Sequence, residues 1–446
     1  MCVEEPQMGV EMNQILNTSE LLNFYKDHLQ TVLLPFWLEH SIDFEDGGYY
    51  TCFDGTGKNL VSTDKYTWSQ GRMIWILSKL ACMENKSFSK YDTNTFIELA
   101  SLGVKFLIKN CLLENGNCTF LMDKKGNPKP QAGENELDSS IYADCFVVCG
   151  LSQYFQACKD KEALEFAIKL YMSIVERIDT NTFKSQPYPV PIGYKVHAIY
   201  MILLNTSQEL EAALNTLEDK MFDHLKALVK SKIIFALSEI TGNFIREDGL
   251  LYEMIDIDNN KKDSLLGNYI NPGHTIEDMW FIIHAAINLN NNEYITKACN
   301  VIKKTFEIGW DQEFGGLFTF IDNSGCEPKG DKADAEGCTM HKKILSDWNF
   351  KLWWPHSEAL YSTLLCYEQT KDPSFLELYW KTHHYTFKTF PNPDKSIGEW
   401  IQIRDRSGAM VEKVVALPVK DPYHIIRNFI LIIELLSKLT ESTSDH

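Results

Sequence analysis

The sequence predicts an all-α fold, an (α/α)6 barrel in which about twelve helices form a closed ring of helical hairpins. A short turn motif recurs along the chain at intervals of roughly 65 to 85 residues, which indicates an internal repeat. Twelve long segments with apolar residues at helical spacing lie between the copies, which is enough for six helical hairpins. A closed ring buries the apolar edges that an open array would expose.

Each copy of the turn motif combines a Gly, a few β-prone residues and an acidic turn ending in Gly or Asn. This is the chemistry of short β-hairpins, which we expect on one rim of the barrel. The copies are 44–58, 113–127, 246–260, 311–325 and 394–408. A degenerate sixth copy at 182–194 contains three prolines, so we expect an extended loop there.

Helical periodicity defines the remaining elements. The predicted helices are 19–40, 65–83, 93–111, 138–158, 161–178, 193–204, 208–239, 274–289, 292–309, 349–369, 373–388 and 422–440.

These elements predict one barrel domain over 19–440, with an N-terminal extension (1–18) and a C-terminal tail (441–446). The charged, Gly-containing segment 326–347 interrupts the pattern and is either a lid or a solvated surface insertion. In such a barrel the inner helices line a central cavity, and their ends on the hairpin rim supply its polar groups. We therefore expect any active site there.

Composition excludes several functions. The formal net charge of −18 argues against a nucleic-acid partner, because phosphate binding needs clustered Lys and Arg. The first twenty residues have no basic segment followed by an apolar one, and no segment reaches the roughly 18 uncharged apolar residues of a membrane span. We expect a cytoplasmic protein with no membrane partner. The twelve Cys form no C-x-x-C pair, and no metal is predicted.

Several segments place charged or imidazole groups at aromatic helix ends. In YTWSQGRMIWIL, Arg72 lies in an apolar helix near Tyr66 and Trp68, two candidates for substrate binding. Arg72 is either a structural guanidinium paired with a carboxylate or a cation aimed at developing negative charge on a substrate oxygen.

A second segment is NPGHTIEDMWF, in which Pro272 and Gly273 mark a helix start. His274 and Glu277 are three residues apart and share a face, so Glu277 is predicted to orient the His274 imidazole. Trp280 is a further substrate-binding candidate.

A third segment, KLWWPHSEAL, carries Trp353 and Trp354, whose rings are suited to sugar C–H faces, and the inward carboxylate Glu358. His356 is either a polar contact for substrate or a capping or surface residue. His197, in IGYKVHAIYM, is a secondary inward-facing candidate.

The fourth segment is KDPYHIIRNFILIIELL. Here His424 lies just after Pro422 at the mouth of the final apolar helix, with Arg427 one turn on. His424 is either a catalytic imidazole or a satisfied core histidine.

Taken in order, FWLEHSIDFEDGGYYTC, YTWSQGRMIW, NPGHTIEDMWF, GWDQEFGGLF, KLWWPHSEAL and KDPYHIIR resemble the N-acylglucosamine 2-epimerase family. The resemblance runs from about residue 36 to 436 and implies an (α/α)6 barrel, in agreement with the repeat. It places the family's essential Arg on Arg72, its Gly-His-x-x-Glu pair on His274 and Glu277, its Trp-Trp-Pro-His-x-Glu carboxylate on Glu358, and its C-terminal His on His424.

The chemistry that the resemblance implies is epimerisation at C2 of an aldose, which needs one base on each face of that carbon. His274 and His424 are then the proton-transfer pair, Arg72 stabilises the oxyanion, and Glu277 and Glu358 orient the imidazoles.

The expected substrates are N-acyl-D-glucosamine and N-acyl-D-mannosamine, since NPGHTIE and KLWWPHSEA are similar to the acylglucosamine branch. VALPVKDPYH instead resembles the branch acting on unacylated sugars such as mannose or cellobiose, so we expect no ATP activation and no cofactor. The alternatives are an aldose–ketose isomerase, an (α/α)6 glycoside hydrolase using Glu277 and Glu358, and a non-catalytic binding protein. The resemblance also implies a homodimer.

Overall fold

A computed structural model describes residues 17–83, 90–332, 338–414 and 417–444, and it confirms the (α/α)6 barrel. The helices are α1 (Thr18–His28), α2 (Leu34–His40), α3 (Thr67–Cys82), α4 (Thr93–Asn110), α5 (Ile141–Cys158), α6 (Lys161–Asp179), α7 (His197–Asn215), α8 (Asp223–Glu239), α9 (Leu265–Asn268), α10 (Pro272–Leu289), α11 (Asn292–Gly309), α12 (Thr339–Asp347), α13 (Trp353–Thr370), α14 (Ser374–Thr389) and α15 (Tyr423–Ser444).

Six inner helices form the ring, in the order α3, α5, α7, α10, α13 and α15, and α15 packs back against α3. Helices α4, α6, α8, α11 and α14 each lie outside the inner helix that precedes them in the chain. The sixth outer position is taken by α1 and α2, which are joined through a π-helical turn, Leu29–Leu33, and α1 packs on α15. The first and last helices of the barrel therefore close it.

Burial separates the two layers. The inner helix α13 is buried without interruption from Trp353 to Cys366, as expected for a helix between the cavity and the outer ring. The outer helix α11 buries one stripe, which includes Ile295, Ala298 and Ile302. Inner helices also approach closely. A Cβ on Gly71 of α3 would lie 2.3 Å from the Phe146 carbonyl oxygen of α5, so only glycine fits.

Three small antiparallel sheets lie on the rim. Their strands are β1 (Lys65–Tyr66), β2 (Leu121–Met122), β3 (Pro128–Lys129), β4 (Tyr194–Val196), β5 (Met254–Asp256), β6 (Lys351–Leu352) and β7 (Ile403–Arg404). Strands β1, β4 and β6 lead directly into α3, α7 and α13, so the sheets fix the N-terminal ends of inner helices.

Turns form at the predicted copies, but most of the strands do not pair with the other strand of the same copy, as a hairpin requires. Only β2 and β3 form a hairpin among the described strands. Strand β5, in the copy 246–260, pairs instead with β4, and β7, in 394–408, pairs with β6. At other copies a single bridge joins the residue just before the copy to one inside it, such as Trp310 with Leu317 at the copy 311–325. Two- and three-residue strands gain partners across repeat units because their own arms are too short to form a ladder.

Other boundaries also differ. The predicted helices 193–204 and 208–239 correspond to α7 and α8, but the predicted break between them is wrong, because α7 runs on to Asn215 and the break falls at 216–222. The Ser207 hydroxyl, inside α7, is buried and bonded to the Tyr171 hydroxyl at 2.8 Å, which removes the reason for a break there. Segment 182–194 is a loop as predicted, except that Tyr194 begins β4.

At the termini, α1 begins at Thr18 and α15 continues to Ser444, into the predicted C-terminal tail. Most of the predicted N-terminal extension, residues 1–16, and the last two residues of the tail lie outside the described residues. Within the described ranges, no helix combines the length and apolar character needed to cross a membrane.

Candidate functional site

A cavity of about 240 Å³ opens where the inner helices begin. All six inner helices contribute side chains from their first two or three turns, including Arg72, Tyr142, Met201, His274, Trp354 and His424. Six helix N-termini around one space create a positive potential that favours negative charge inside it. A cavity therefore lies where the active site is predicted, at the rim-side ends of the inner helices.

His424 lies in the first turn of α15, and its Nδ1 is 2.7 Å from Oε1 of Glu358 on α13. Glu358 is fully buried, and its other oxygen accepts a 2.8 Å hydrogen bond from Nε1 of Trp280. Arg427 also donates to Glu358, at 2.7 Å. Burial by itself would raise the pKa of Glu358, but Arg427, His424 and the Trp280 bond outweigh it and lower that pKa to about 2.

Glu277 belongs to this same group. Its carboxylate accepts a short hydrogen bond from Arg427, and its Oε1 lies 3.6 Å from Nδ1 of His424. The prediction that Glu277 orients His274 is therefore wrong. The two residues share the start of α10, and both reach the cavity, but the Glu277 side chain is drawn toward the guanidinium on α15.

His274 takes its partner from another element. Its Nδ1 lies 3.2 Å from Oε2 of Glu253, the residue that precedes β5, and its backbone N–H donates to the N-cap side chain of Asn271. Oε1 of Glu253 is 3.5 Å from Nδ1 of His197, whose Nε2 is 2.9 Å from Oδ2 of Asp278. Burial favours protonation of Glu253, but His274 and His197 outweigh it and lower the pKa of Glu253 to about 2.

The surroundings also determine the charge of His197. Burial lowers its pKa, but Asp278 and Glu253 outweigh burial and raise it to about 10, so the ring is an imidazolium at neutral pH.

Arg72 lies on α3 and lines the cavity. It pairs with Asp421 through a short hydrogen bond, and its guanidinium carbon is 4.1 Å from the centroid of the Phe146 ring and 4.9 Å from that of Tyr423. The carboxylate and the aromatic faces hold the guanidinium in one orientation at the cavity wall.

The indole of Trp354 contacts both imidazoles. Its ring centroid is 5.4 Å from that of His274 and 5.3 Å from that of His424. Trp68 and Trp353 also line the cavity, as predicted for substrate-binding aromatics. The two histidines thus flank one aromatic ring and share one space.

Four predicted substrate-binding residues lie outside the cavity lining, and in each case a packing contact, a hydrogen bond or complete burial explains why the side chain does not reach the cavity. Tyr66 packs in a small apolar cluster with Phe120. Trp280 is buried and directs its N–H to Glu358 instead. His197 is completely buried behind Glu253.

His356, the fourth, is buried in a structural bond network. Its Nε2 accepts from the Leu317 N–H at 2.8 Å, and its Nδ1 bonds to the Leu352 carbonyl oxygen at 2.6 Å. Burial lowers its pKa to about 3, so it stays neutral. The alternative of a surface residue is wrong, because His356 is completely buried and both its ring nitrogens bond to backbone groups.

Among the described residues, two groups bring metal-ligating atoms within 4.8 Å of one another: His197, Glu253 and His274, and Glu277, Glu358 and His424. In the second group, Arg427 already bonds to both carboxylates. In the first, the single carboxylate already faces an imidazolium. Each group thus has a resident cation that competes with a metal ion. The absence of a metal stays a prediction.

The described part of segment 326–347 contributes to the cavity wall. Met340 and Lys343 of α12 line the cavity, and Ile344 is fully buried. The interpretation of a solvated insertion is wrong for α12, because its apolar face packs on Tyr269 and Phe320. Residues 333–337 lie outside the described residues, and a lid motion stays a prediction.

Sequence reasoning missed Glu253 as a site residue and left Arg427 without a role. Glu253 sits in the otherwise apolar run LLYEMI, where a carboxylate has to find a partner. Arg427 sits three residues after His424 in an equally apolar helix. In both cases the sequence shows a charged residue in an apolar segment but not its partner. His274 is more than twenty residues from Glu253, and Glu358 is more than sixty residues from Arg427.

Residues 48–428 match the family described as N-acylglucosamine 2-epimerase (GlcNAc 2-epimerase). The chain is 26% identical to the N-acylglucosamine 2-epimerase of Mus musculus, over 95% of this chain and 94% of the relative, and 27% identical to that of Homo sapiens, over 94% and 92%. Among solved structures, the cellobiose 2-epimerase from Spirochaeta thermophila superposes with a TM-score of 0.74 at 17% identity, covering 96% of this chain and 100% of that one.

Proposed function

The chain belongs to the N-acylglucosamine 2-epimerase family, and on that premise we propose that it interconverts N-acyl-D-glucosamine and N-acyl-D-mannosamine. It is a sugar 2-epimerase. The observation that carries the proposed mechanism is that two imidazoles open into one cavity, each with Nδ1 against a buried carboxylate.

The carboxylates assign the tautomers. An ionised carboxylate only accepts hydrogen bonds, so Nδ1 of His274 and Nδ1 of His424 each carry the proton. Nε2 of each ring is then the free base. Two such bases are what inversion at one carbon requires, because the proton must leave from one face and return to the other.

The reaction begins with ring opening to the free aldehyde. One imidazole removes the C2 proton, the C2–H electron pair moves into the C1–C2 bond, and negative charge develops on O1. The other imidazole, which has taken up a proton from solvent and is an imidazolium, then delivers that proton from Nε2 to the opposite face of C2, where the C1–C2 electron pair forms the new C–H bond of the epimer. The first imidazole returns the abstracted proton to solvent. Arg72 and the surrounding helix N-termini stabilise the intermediate oxyanion.

The acylated amino sugar is favoured by two features. Met201, Ile202 and Met254 form an apolar stretch of the cavity wall that suits an acyl methyl group. In addition, the Mus musculus and Homo sapiens relatives are N-acylglucosamine 2-epimerases. Unacylated aldoses or cellobiose are the second candidates, since the Spirochaeta thermophila structure is a cellobiose 2-epimerase.

The glycoside hydrolase alternative fits the geometry poorly. Glu277 and Glu358 both bond to the same nitrogen of Arg427, so they lie on one side of the cavity. A glycosidase needs its two carboxyl groups on either side of the scissile bond. The isomerase and binding-protein alternatives are left to the experiment.

The test is C2 hydrogen exchange in heavy water, followed by NMR with N-acetylmannosamine, mannose and cellobiose in separate samples. We expect loss of the C2 proton signal of N-acetylmannosamine and appearance of N-acetylglucosamine. Loss of conversion to N-acetylglucosamine in His424→Ala, with conversion retained in His384→Ala, an exposed histidine on α14, would support the assigned base. A ketose product would instead identify an isomerase, and no turnover of any aldose would support a binding protein.

We further propose that the reaction needs no ATP, that the protein is a homodimer and that it is cytoplasmic. The first follows from the VALPVKDPYH segment and the second from the family resemblance, and the third is the expectation from the sequence given above. Equal rates with and without ATP, a mass of two chains by light scattering, and recovery in the cytosolic fraction are the expected results.

A further inference from the structure

Behind His274, four ionisable side chains form a continuous chain from the cavity into the core. His274 faces Glu253 at 3.2 Å, Glu253 faces His197 at 3.5 Å, and His197 faces Asp278 at 2.9 Å. His274 is 34% exposed, whereas the other three are buried almost completely. Glu253 also lines the cavity, but only 2% of its side chain is exposed, so His274 is the member of the chain that is open to a substrate.

We infer that Glu253 is the positioning carboxylate of His274, and that His197, anchored by Asp278, is the cation that holds Glu253 in place. This inference rests on the proposed function, in which His274 is one of the two bases. Neither Glu253 nor His197 touches the reacting carbon, so both act through His274.

The backbone builds this arrangement. Strands β4 and β5 pair with Val196 opposite Met254, and the N–H of His197 donates to the carbonyl oxygen of Glu253 at 2.9 Å. The strand register therefore sets the Glu253 side chain beside the His197 ring. Asp278 and His274 come from one helix, α10, so both ends of the chain of four are held by the same element.

The charges of Glu253, Asp278 and His197 explain how this arrangement can assist His274 as a base. Both ring nitrogens of His197 face carboxylates, Nε2 at 2.9 Å from Asp278 and Nδ1 at the longer distance of 3.5 Å from Glu253, and two facing carboxylates favour the imidazolium. Burial raises the pKa of Asp278, and the facing His197 opposes that shift. With Glu253 and Asp278 both ionised, two carboxylates and one imidazolium leave one net negative charge beside Nδ1 of His274. When His274 accepts the C2 proton and becomes an imidazolium itself, that charge is balanced.

The other titratable groups around Glu253 do not change this count. Tyr142 and Tyr269 are the further groups that interact with it, and burial raises the pKa of both phenols, so they stay neutral. The pKa of Glu253, lowered to about 2, and that of His197, raised to about 10, agree with an ionised pair at neutral pH.

The competing explanation is a purely structural ion pair that ties β5 to α10. It predicts that changing Glu253 alters stability and leaves the ring state of His274 alone. A positioning role predicts a change in that ring state, so the first measurement is the ¹⁵N spectrum of the His274 ring near neutral pH, assigned by the loss of its signals in His274→Ala.

In wild type we expect the Nδ1–H form with Nε2 unprotonated. In Glu253→Gln we expect a mixture of both tautomers, since an amide both donates and accepts. We expect kcat for C2 exchange to fall on the order of 10²-fold with KM nearly unchanged, and the acidic limb of kcat to move to lower pH. Glu247→Gln, an exposed Glu in the same turn motif, should match wild type throughout.

A His274 ring with its proton on Nε2 in wild type would overturn the inference directly. An unchanged His274 tautomer and an unchanged kcat in folded Glu253→Gln would also overturn it. If Glu253→Gln does not fold, His197→Gln gives the second test, because it leaves Glu253 present but removes the cation. It should also lower kcat without raising KM. An absence of C2 exchange in wild type with every sugar would defeat the proposed function, while the ring spectrum would still decide the positioning role.

Discussion

The two histidine ends of the cavity have the same charge but are built differently. At His424 the partners are Glu358, Glu277 and the guanidinium of Arg427. At His274 they are Glu253 and Asp278 with the imidazolium of His197. Around Nδ1 each end holds two carboxylates and one cation, and so leaves one net negative charge there. On the Nε2 side of His424, Asp421 lies at 3.8 Å and is paired with Arg72.

The difference lies in the cation. A guanidinium stays charged at every pH that a protein survives, whereas an imidazolium loses its proton in the alkaline range. The surroundings differ as well, because 34% of the His274 side chain is exposed but only 10% of the His424 side chain. The two ends therefore place the same net charge beside an imidazole but use different cations, an arginine at His424 and a histidine at His274. Variants and pH should affect the two ends differently for that reason.

The largest expected effect is removal of either base. His274→Ala and His424→Ala should each lower epimerisation by about 10³- to 10⁴-fold, since each removes a general acid–base group that nothing replaces. The measurement is C2 epimerisation and, separately, C2 exchange of each epimer in heavy water.

Each variant should still exchange the hydrogen of the one epimer that the remaining histidine deprotonates. That pattern would show which base serves which direction. Equal exchange of both epimers by one variant would mean that a single base works on both faces, and the two-ended comparison would fail.

The second effect is on stability. Arg427→Met leaves Glu277 and Glu358 buried beside each other without their cation, so we expect a loss of about 3–5 kcal/mol in the free energy of unfolding, together with a loss of activity. Denaturant unfolding measures the first and C2 exchange the second.

The matched control is Arg177→Met, which breaks the pair with buried Asp144 between α5 and α6. It should lose stability but keep kcat. A variant of Arg427 that unfolds at the wild-type denaturant concentration would show that its two carboxylates are not ionised together.

The third prediction is that alkaline pH weakens the contribution of the His274 end to the free energy of unfolding, because its cation is His197. The pKa of His197 is raised from 6.5 to about 10, so its contribution to folding is complete below pH 6.5 and is lost as pH rises toward about 10. We expect a loss on the order of 2–4 kcal/mol over that range, and His197→Gln should remove this slope.

On the acid side the two ends should behave alike. The pKa values of Glu253 and Glu358 are both lowered from 4.5 to about 2, so their contributions are present above pH 4.5 and are lost toward pH 2. Unfolding midpoints measured from pH 2 to 10 check both limbs. An alkaline slope that persists in His197→Gln would assign it to another group.

Much of this molecule can be read from the sequence. The 3.6-residue apolar period and the repeated turns predict the barrel, because every helix has to bury a face and every unit ends in the same kind of turn. Arg72, His274 and His424 are predicted and lie together at one cavity, since their helices all start at the rim.

The bonds inside the site are harder to predict. Glu277 follows His274 on one helix, so local spacing pairs them, but the buried Arg427 is a stronger partner for that carboxylate. Glu253 reaches His274 only because β5 pairs with β4 instead of within its own motif. Such contacts depend on strand register across repeat units, which short motifs do not encode locally.

The smallest effect concerns the neutral donor that distinguishes the His424 end. Trp280→Phe removes the indole N–H that donates to Glu358 at 2.8 Å and leaves a buried carboxylate oxygen unpaired. We expect a stability loss of about 1–3 kcal/mol and a fall in kcat of about tenfold, because Glu358 is then free to shift away from His424.

Trp37→Phe is the matched control, because the Trp37 indole donates to the buried Glu399 at 2.7 Å outside the cavity lining. It should lose similar stability and keep its kcat. A parallel fall in kcat in both variants would mean that the indole bond to Glu358 only stabilises the barrel. A fall confined to Trp280→Phe would mean that the His424 end depends on a neutral donor as well as on Arg427, whereas the His274 end relies on charged partners.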